Sequence, residues 1–329
     1  MIYKMLNQPE PEIAAVDVMA TRKIASKLGM EEFLRVKLGK VRDYVVATPL
    51  PRAAGCITSI TQADGMIRIP NHVEGIAEGK PAVAHLLRPM SVIQNTIVAV
   101  GSHDNTLDVL ADLIRAQNSR VTLSSSHVGS MGGLMAIKKG MCHLAGTHLL
   151  DENDGSYNIS YLKQYLPDVK IKLIRLVDRD QGFMVRPGNP KHIKGIEDLT
   201  RKDIVFINRQ RGSGTRILLD FKLKQAGISS GSISGYTNEE FTHMAVAAAV
   251  ASGTADAGLG IFAAARALKL DFIPMITESY DLVIPVDFMD TDRIRLLLNV
   301  INSDEFKTRV KQLGGYHVEN TGNLVWEND

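Results

Sequence analysis

The residues of this chain best placed to do chemistry lie in the stretch Asn208-Arg209-Gln210-Arg211-Gly212-Ser213-Gly214-Thr215-Arg216. Three arginines supply fixed positive charge, two hydroxyls can donate hydrogen bonds, and two glycines allow a sharp turn. The apolar run Asp203-Ile204-Val205-Phe206-Ile207 precedes it and reads as a buried strand, and Ile217–Leu223 follows with helical periodicity. A turn that opens a helix presents unpaired backbone N–H groups and the positive end of the helix dipole, both of which favour an anion. The pattern points to a grip on something small and negatively charged. An ordinary capped helix is the competing reading, with Ser213 as N-cap and Arg216 paired with a surface carboxylate.

Other polar residues fall where such a grip would need them. Ser130, in Gly129-Ser130-Met131-Gly132-Gly133, opens a second helix, as a ligand contact or as its N-cap. Ser102, Asn105 and Thr106 follow a strand, in the position where open α/β sheets bind ligands beyond their strands' carboxyl ends. Gln181 stands at a presumed crossover between lobes, as a ligand contact or a partner for hinge backbone. His148, Asp151 and Tyr157 read as a polar rim or as residues that order an irregular loop, with the structural role favoured for the first two. His243, on an alanine-rich helix, reads as a packing residue, and Asp256 as the organiser of a turn. The candidate ligand-binding set is Ser102, Thr106, Ser130, Gln181, Arg211, Gly212, Ser213, Gly214, Thr215 and Arg216.

No catalytic residue and no metal ligand is expected. The Gly212-Ser213-Gly214 spacing is not that of a nucleophile elbow, and the glycine turn lacks the Gly-Lys-Ser/Thr ending of a P-loop. No His-Glu-x-x-His or paired-cysteine motif occurs, and the two cysteines, Cys56 and Cys142, lie far apart. A net charge of +2 with basic residues spread along the chain argues against nucleic-acid binding. No run approaches the roughly 18 apolar residues that span a bilayer. The first ten residues lack the apolar core of a signal peptide, so a cytoplasmic location and no membrane partner are expected. Oligomeric state is not readable.

The elements that must position these residues form two parts. Residues 17 to 88 suggest a small barrel or sandwich of short strands at 33–38, 44–47, 57–60, 66–69 and 82–87, led by a short helix at about 18–28. From Thr96 onward strands alternate with helices, which predicts a parallel sheet covered on both faces. Strands are expected at 96–101, 120–123, 142–146, 172–177, 181–186, 204–207, 257–260, 271–274 and 280–285. Two amphipathic helices close the chain at about 291–313.

Both parts resemble known families. Gly129–Leu134, Gly146–Asp151, Tyr157-Asn158, Gln181-Gly182, Gly188-Asn189-Pro190, the 208–216 segment, His243–Gly253 and Tyr280-Asp281-Leu282 occur in order. Through them residues 92 to 329 resemble the periplasmic-binding-protein-like domain attached to molybdopterin biosynthesis proteins of the MoeA type. The resemblance implies a type II two-lobed α/β domain with its ligand in the cleft between lobes. Ala25–Val36, Pro49–Gly55, Ala63–Ile67 and Glu74–Gly79 resemble the small C-terminal β-domain of a molybdopterin molybdenumtransferase. That family's molybdopterin-binding domain, with its glycine-rich loop and carboxylates, has no counterpart in this chain.

The expected organisation is a β-domain over residues 1–90 and a two-lobed domain over 91–329. Lobe 1 takes about 91–180 and 265–329, and lobe 2 about 181–264. The resemblance implies a small oxyanion ligand, molybdate or tungstate, serving molybdenum-cofactor assembly. It also leaves open a non-catalytic subunit that completes a separately encoded molybdopterin-binding transferase. A ligand-sensing module like those of LysR-type regulators is a third reading, and no basic helix-turn-helix accompanies it.

Overall fold

The computed structural model describes residues 13–50, 52, 58–151 and 154–328. Two compact units emerge: residues up to Val98 together with Arg120–Ser124, and Ala99–Ser119 together with the chain from Ser125 onward.

The first unit contains a closed barrel. Its strands are Ala15–Ala20 (β1), Glu32–Val41 (β3), Tyr44–Pro49 (β4), Gly65–Ile69 (β5) and Pro81–Leu86 (β7), in the order β1-β4-β3-β5-β7 with β7 returning to β1. The short strands Ile24–Ala25 (β2) and Gly75–Ile76 (β6) pair separately. Alternation sets the interior: Leu34, Val36 and Leu38 point inward with Val18, Ala20, Ile67 and Ile69, while Phe33 is exposed. Two expectations fail here. The helix expected at 18–28 is β1 and β2, because Val18 and Ala20 are buried at period two and β1 pairs with both β4 and β7. Of the strand expected at 57–60, the described part is instead the start of a helix, Thr58–Gln62. Ile57, together with Pro51 and Ala53–Gly55 of the family-like motif, lies outside the described residues.

The second unit is two-lobed and mixed α/β. Strands Thr96–Gly101 (β8) and Thr122–His127 (β9) form a pair. The larger sheet has the order β10-β15-β11-β14-β12-β13, made from Ala145–Thr147 (β10), Ile171–Val185 (β11), Phe206–Arg209 (β12), Glu239–Glu240 (β13), Ala257–Ile261 (β14) and Asp271–Pro285 (β15). Tyr316–His317 (β16) and Leu324–Glu327 (β17) add to β11. Parallel pairing of the kind the sequence predicts is present at β14-β12-β13 and in the bridge between Ala99 of β8 and Leu144, whereas β10, β11, β14 and β15 pair antiparallel.

The reason lies in two long strands. The sequence divides 171–186 and 271–285 into four short strands, because polar residues interrupt the apolar runs. Those residues face each other in register, Arg179 opposite Glu278 and Asp180 opposite Thr277, so pairing continues straight through them. Strands β11 and β15 thereby run as a continuous antiparallel ribbon, with β10 and β17 along one end and β14 along the other.

Helices start where the ligand residues were sought. Asp104 caps the helix Asn105–Gln117, which buries Leu107, Leu110, Leu113 and Ile114. The helix Gly129–Lys138 opens with no side-chain cap. Ser213 caps Gly214–Gln225, and Thr242 caps His243–Ala251. A core of Phe183, Leu199, Ile204, Phe206, Leu218, Leu219 and Leu259 holds β11, β12, β14 and the 214–225 helix together.

Candidate functional site

A charged spine runs through the middle of the β11–β15 ribbon. Arg179 is fully buried and pairs with Glu278 Oε1 through Nε at 2.7 Å and Nη2 at 2.6 Å. Its Nη1 pairs with Asp104. Asp104 Oδ1 also accepts from the Thr106 backbone N–H at 2.8 Å, and the Tyr316 hydroxyl lies 3.0 Å from Oδ2. Burial alone would push both carboxyls up. Arg179 overcomes this at each, with help from Thr106 at Asp104 and from His148 at Glu278, so both are lowered, Glu278 to about 2. Burial disfavours the Arg179 charge, yet the two carboxylates outweigh it and hold the guanidinium protonated.

His148 extends this spine. Its Nδ1 lies 3.0 Å from Glu278 Oε2 and its Nε2 2.8 Å from Ser102 Oγ. Burial lowers its pKa, and the ring is neutral. With Nδ1–H donating to the ionised Glu278, Nε2 accepts from the Ser102 hydroxyl. The chain hydroxyl–imidazole–carboxylate has the connectivity of a nucleophile and its base. Its electrostatics oppose that use: Glu278 is shared with Arg179, and burial followed by Arg179 depresses the basicity of His148. Ser102 is enclosed, its backbone bonded to Gly146 and to the Tyr280 hydroxyl. The set orders the site.

Beside this ion-paired spine, in which Arg179 Nη2 has its ion pair but no hydrogen bond, stand further polar groups with no hydrogen-bond partner among the described residues. Arg209, at the carboxyl end of β12, is 2% exposed. Its Nη2 donates to Phe241 O at 3.1 Å, whereas Nε and Nη1 have no hydrogen-bond partner among the described residues. Burial, then the neighbouring Arg179, lowers its pKa to about 10, so it remains charged at neutral pH. Both ring nitrogens of the buried His243 lack a partner. Gln181 Nε2 donates to Thr215 Oγ1 at 3.3 Å, and its Oε1 is unpartnered. Leaving a buried polar group unsatisfied costs about 1–3 kcal/mol, and more for a charge. A cation with two idle donors, set against a helix opening, has the makings of an anion receptor.

The structure gathers most of the sequence-derived set around this point. Ser102 and Ser130 both attend His148, Ser130 Oγ accepting from its backbone N–H at 3.2 Å. Thr106 serves Asp104. Gln181 and Thr215 touch each other across elements. Ser213 caps its helix through Arg216 N at 3.2 Å. Gly212, at φ +81°, makes the turn, and a Cβ on Gly214 would stand 2.4 Å from His148 Nδ1 and carbonyl O. Two arginines of the set point elsewhere. Arg211 is 85% exposed and 3.8 Å from Glu239. Arg216 pairs with Asp220 and Glu239, each at 3.2 Å, and stacks 4.0 Å over Tyr236, which matches the capped-helix alternative. Asp256 bonds the Val205 backbone N–H at 3.0 Å, the turn role expected of it.

Arg179, Glu278 and Asp104 escaped the sequence reading. A signal was present: an arginine between Asp178 and Asp180 inside a strand-forming run is a charge that must be buried and paired. His243 was read as packing, and nothing in its alanine-rich surroundings indicates otherwise.

Relatives place this arrangement in a family. Residues 111–302 match the PBP superfamily domain, and residues 17–87 match the MoeA C-terminal region (domain IV). The uncharacterized protein YvgK of Bacillus subtilis (strain 168) is 35% identical over 230 residues, covering 70% of this chain and 74% of that protein. The fold is shared with a candidate phosphate ABC transporter substrate-binding protein from Clostridium perfringens, solved with bound phosphate. Its TM-score is 0.51 at 14% identity, over 67% of this chain and 98% of that one. A tungstate ABC transporter structure from Geobacter sulfurreducens gives 0.50 at 15% identity, over 66% and 98%. The chain belongs to the PBP superfamily, with a MoeA C-terminal region preceding its two-lobed domain.

Proposed function

We propose that this chain captures a small oxyanion between its lobes, molybdate or tungstate in first place, as a cytoplasmic step of molybdenum-cofactor assembly. The observation that carries the anion is Arg209, a buried guanidinium whose Nε and Nη1 have no partner. The uncapped opening of the helix Gly129–Lys138 and the turn at Gly212–Thr215 supply further donors. Fold relatives with bound phosphate and a tungstate transporter are consistent with such a ligand, and the MoeA C-terminal region favours the metal oxyanions. We assign the barrel domain to residues 1–90 and the receptor to 91–329, with lobe 2 at about 181–264. Calorimetric titration with molybdate, tungstate, sulfate and phosphate tests the reading. Arg209→Gln is expected to weaken the bound anion by about 100-fold or more, the scale for losing a buried charge partner. Absence of heat with all four anions and folded protein sinks the proposal.

One observation favours a second reading. The match of residues 17–87 to the MoeA C-terminal region, in a chain without that family's catalytic domain, suits a subunit that completes a separate molybdopterin-binding transferase. Tethering would then raise the local concentration of the anion. Identification of such a transferase in the native complex supports this role, and a chain that purifies alone counts against it.

A further inference from the structure

Among Arg209, Gln181 and His243, the imidazole of His243 is the group that can gain a proton and with it a charge; Nδ1 of the nearby His103 is likewise without a hydrogen-bond partner among the described residues. His243 begins the helix His243–Ala251, two residues after the Phe241 carbonyl that holds Arg209 Nη2. The ring is buried, and both nitrogens lack partners. Gly260 of β14 lies against the ring: a Cβ there would stand 3.4 Å from Nδ1, an ordinary contact, and 2.5 Å from Met184 Cε. The charged and titratable groups that bear on it most are basic: Arg209 from β12, Arg179 from β11, and His148 and His103 from the loops after β10 and β8. Among carboxylates on the elements around it, Glu278 and Asp104 are held by Arg179, and Glu239 of β13 by Arg216. Glu240 accepts the Gln210 N–H through its backbone, and Arg266 on the adjoining helix Phe262–Ala267 donates to Gln312 O.

A neutral imidazole offers one donor and one acceptor. A fully deprotonated oxyanion has no hydrogen for that acceptor nitrogen, so one ring nitrogen would stay buried and unsatisfied. Protonation removes the conflict: an imidazolium has two donors and a charge to set against the anion. Burial, followed by Arg209, holds His243 well below the ordinary histidine value, because the charges that bear on it most are basic. A dianion between Arg209 and His243 reverses that balance.

Resting on the anion-receptor reading, we propose that His243 is a specificity-determining residue that takes one proton from solvent as a deprotonated oxyanion is captured. The bound state then sets Arg209 and an imidazolium against a divalent ligand, and favours dianions over monoanions of the same size. The proton comes from the buffer, travels to the free ring nitrogen and returns to solvent on release. No bond within the ligand changes.

The test is calorimetry of the full chain with sodium molybdate at pH 7, in Pipes and in Tris, whose ionisation heats differ widely. Sodium sulfate replaces molybdate if the latter gives no heat. Wild type is expected to take up about one proton per anion. Its affinity should also fall about tenfold per pH unit over the range where the complex holds the proton and the free chain does not, and level off above that range. His243→Gln should bind with no uptake and a flat pH profile, and thermal melting verifies that this variant is folded. If it is not, His243→Asn serves the same purpose. Binding without proton uptake in wild type overturns the proposal and leaves the anion-receptor reading standing. Uptake that persists in the variant also overturns it, because His148 or His103 then takes the proton. Binding of phosphate alone overturns it too, since that ligand brings its own proton. Absence of binding by all four anions removes the receptor reading itself.

Discussion

The barrel and the two-lobed unit both bury charge, and they treat it in opposite ways. In the barrel, Asp64 is 3% exposed and each carboxylate oxygen has a partner: Oδ1 takes Lys37 Nζ at 3.0 Å, and Oδ2 takes the Leu38 N–H at 3.0 Å. The result is a pin between β3 and the segment leading into β5. In the two-lobed unit, Arg179 is ion-paired with Glu278 and Asp104, Nη2 through the ion pair alone, whereas Nε and Nη1 of Arg209 and both ring nitrogens of His243 have no hydrogen-bond partner among the described residues. Satisfied buried charge orders a fold; unsatisfied buried charge marks where something else must arrive. The contrast separates residues that hold the protein together from residues kept in readiness.

Variants that break the satisfied set should be costliest. Glu278→Gln removes the strongest partner of a fully buried arginine and also frees His148, so a loss of about 3–5 kcal/mol in denaturant unfolding is expected. Acid acts on the same group. The folded pKa of Glu278, about 2, lies below its ordinary 4.5, so its contribution is complete above pH 4.5 and is lost as pH falls toward 2. His148 and His243 are lowered as bases, so their neutral native forms lose stability earlier, as pH falls through 6.5. Acid unfolding followed by fluorescence should begin in that upper window.

The barrel should respond on a smaller scale and without functional consequence. Asp64→Ala strands the Leu38 N–H and Lys37, at about 1–3 kcal/mol, with anion affinity unchanged in calorimetry. A change in affinity would erase the distinction between the two regions. The smallest effect belongs to Arg211, which the sequence alone places in the grip. Exposed and only loosely paired, its replacement by alanine should move stability by less than about 0.5 kcal/mol and affinity by less than about threefold.

The contrast between Arg211 and Arg209 also shows how far the sequence could be read. Local rules sufficed for the helix opening at Gly214 and for the inward set Leu34, Val36 and Leu38. They could not choose among three arginines. Residues 206–209 are buried on both sides, so the alternation that would sort inward from outward is absent. Pairing hid the remainder. Arg179 and Glu278 are 99 positions apart, and only the register of two long strands brings them opposite each other. The same unreadable register made two continuous strands look like four. At 18–28 the failure was one of period: Val18 and Ala20, two apart, share a strand face but fall on opposite sides of a helix, and pairing with β4 and β7 fixes the strand.

At Gly214 the start of one helix meets His148 with a clearance smaller than a methyl group. That gap works as a doorstop without its rubber. A hydrogen atom fits there, whereas a methyl group would have to push the helix start away from His148. A single carbon atom at position 214 therefore decides whether the helix start and the His148 ring and carbonyl keep their contact.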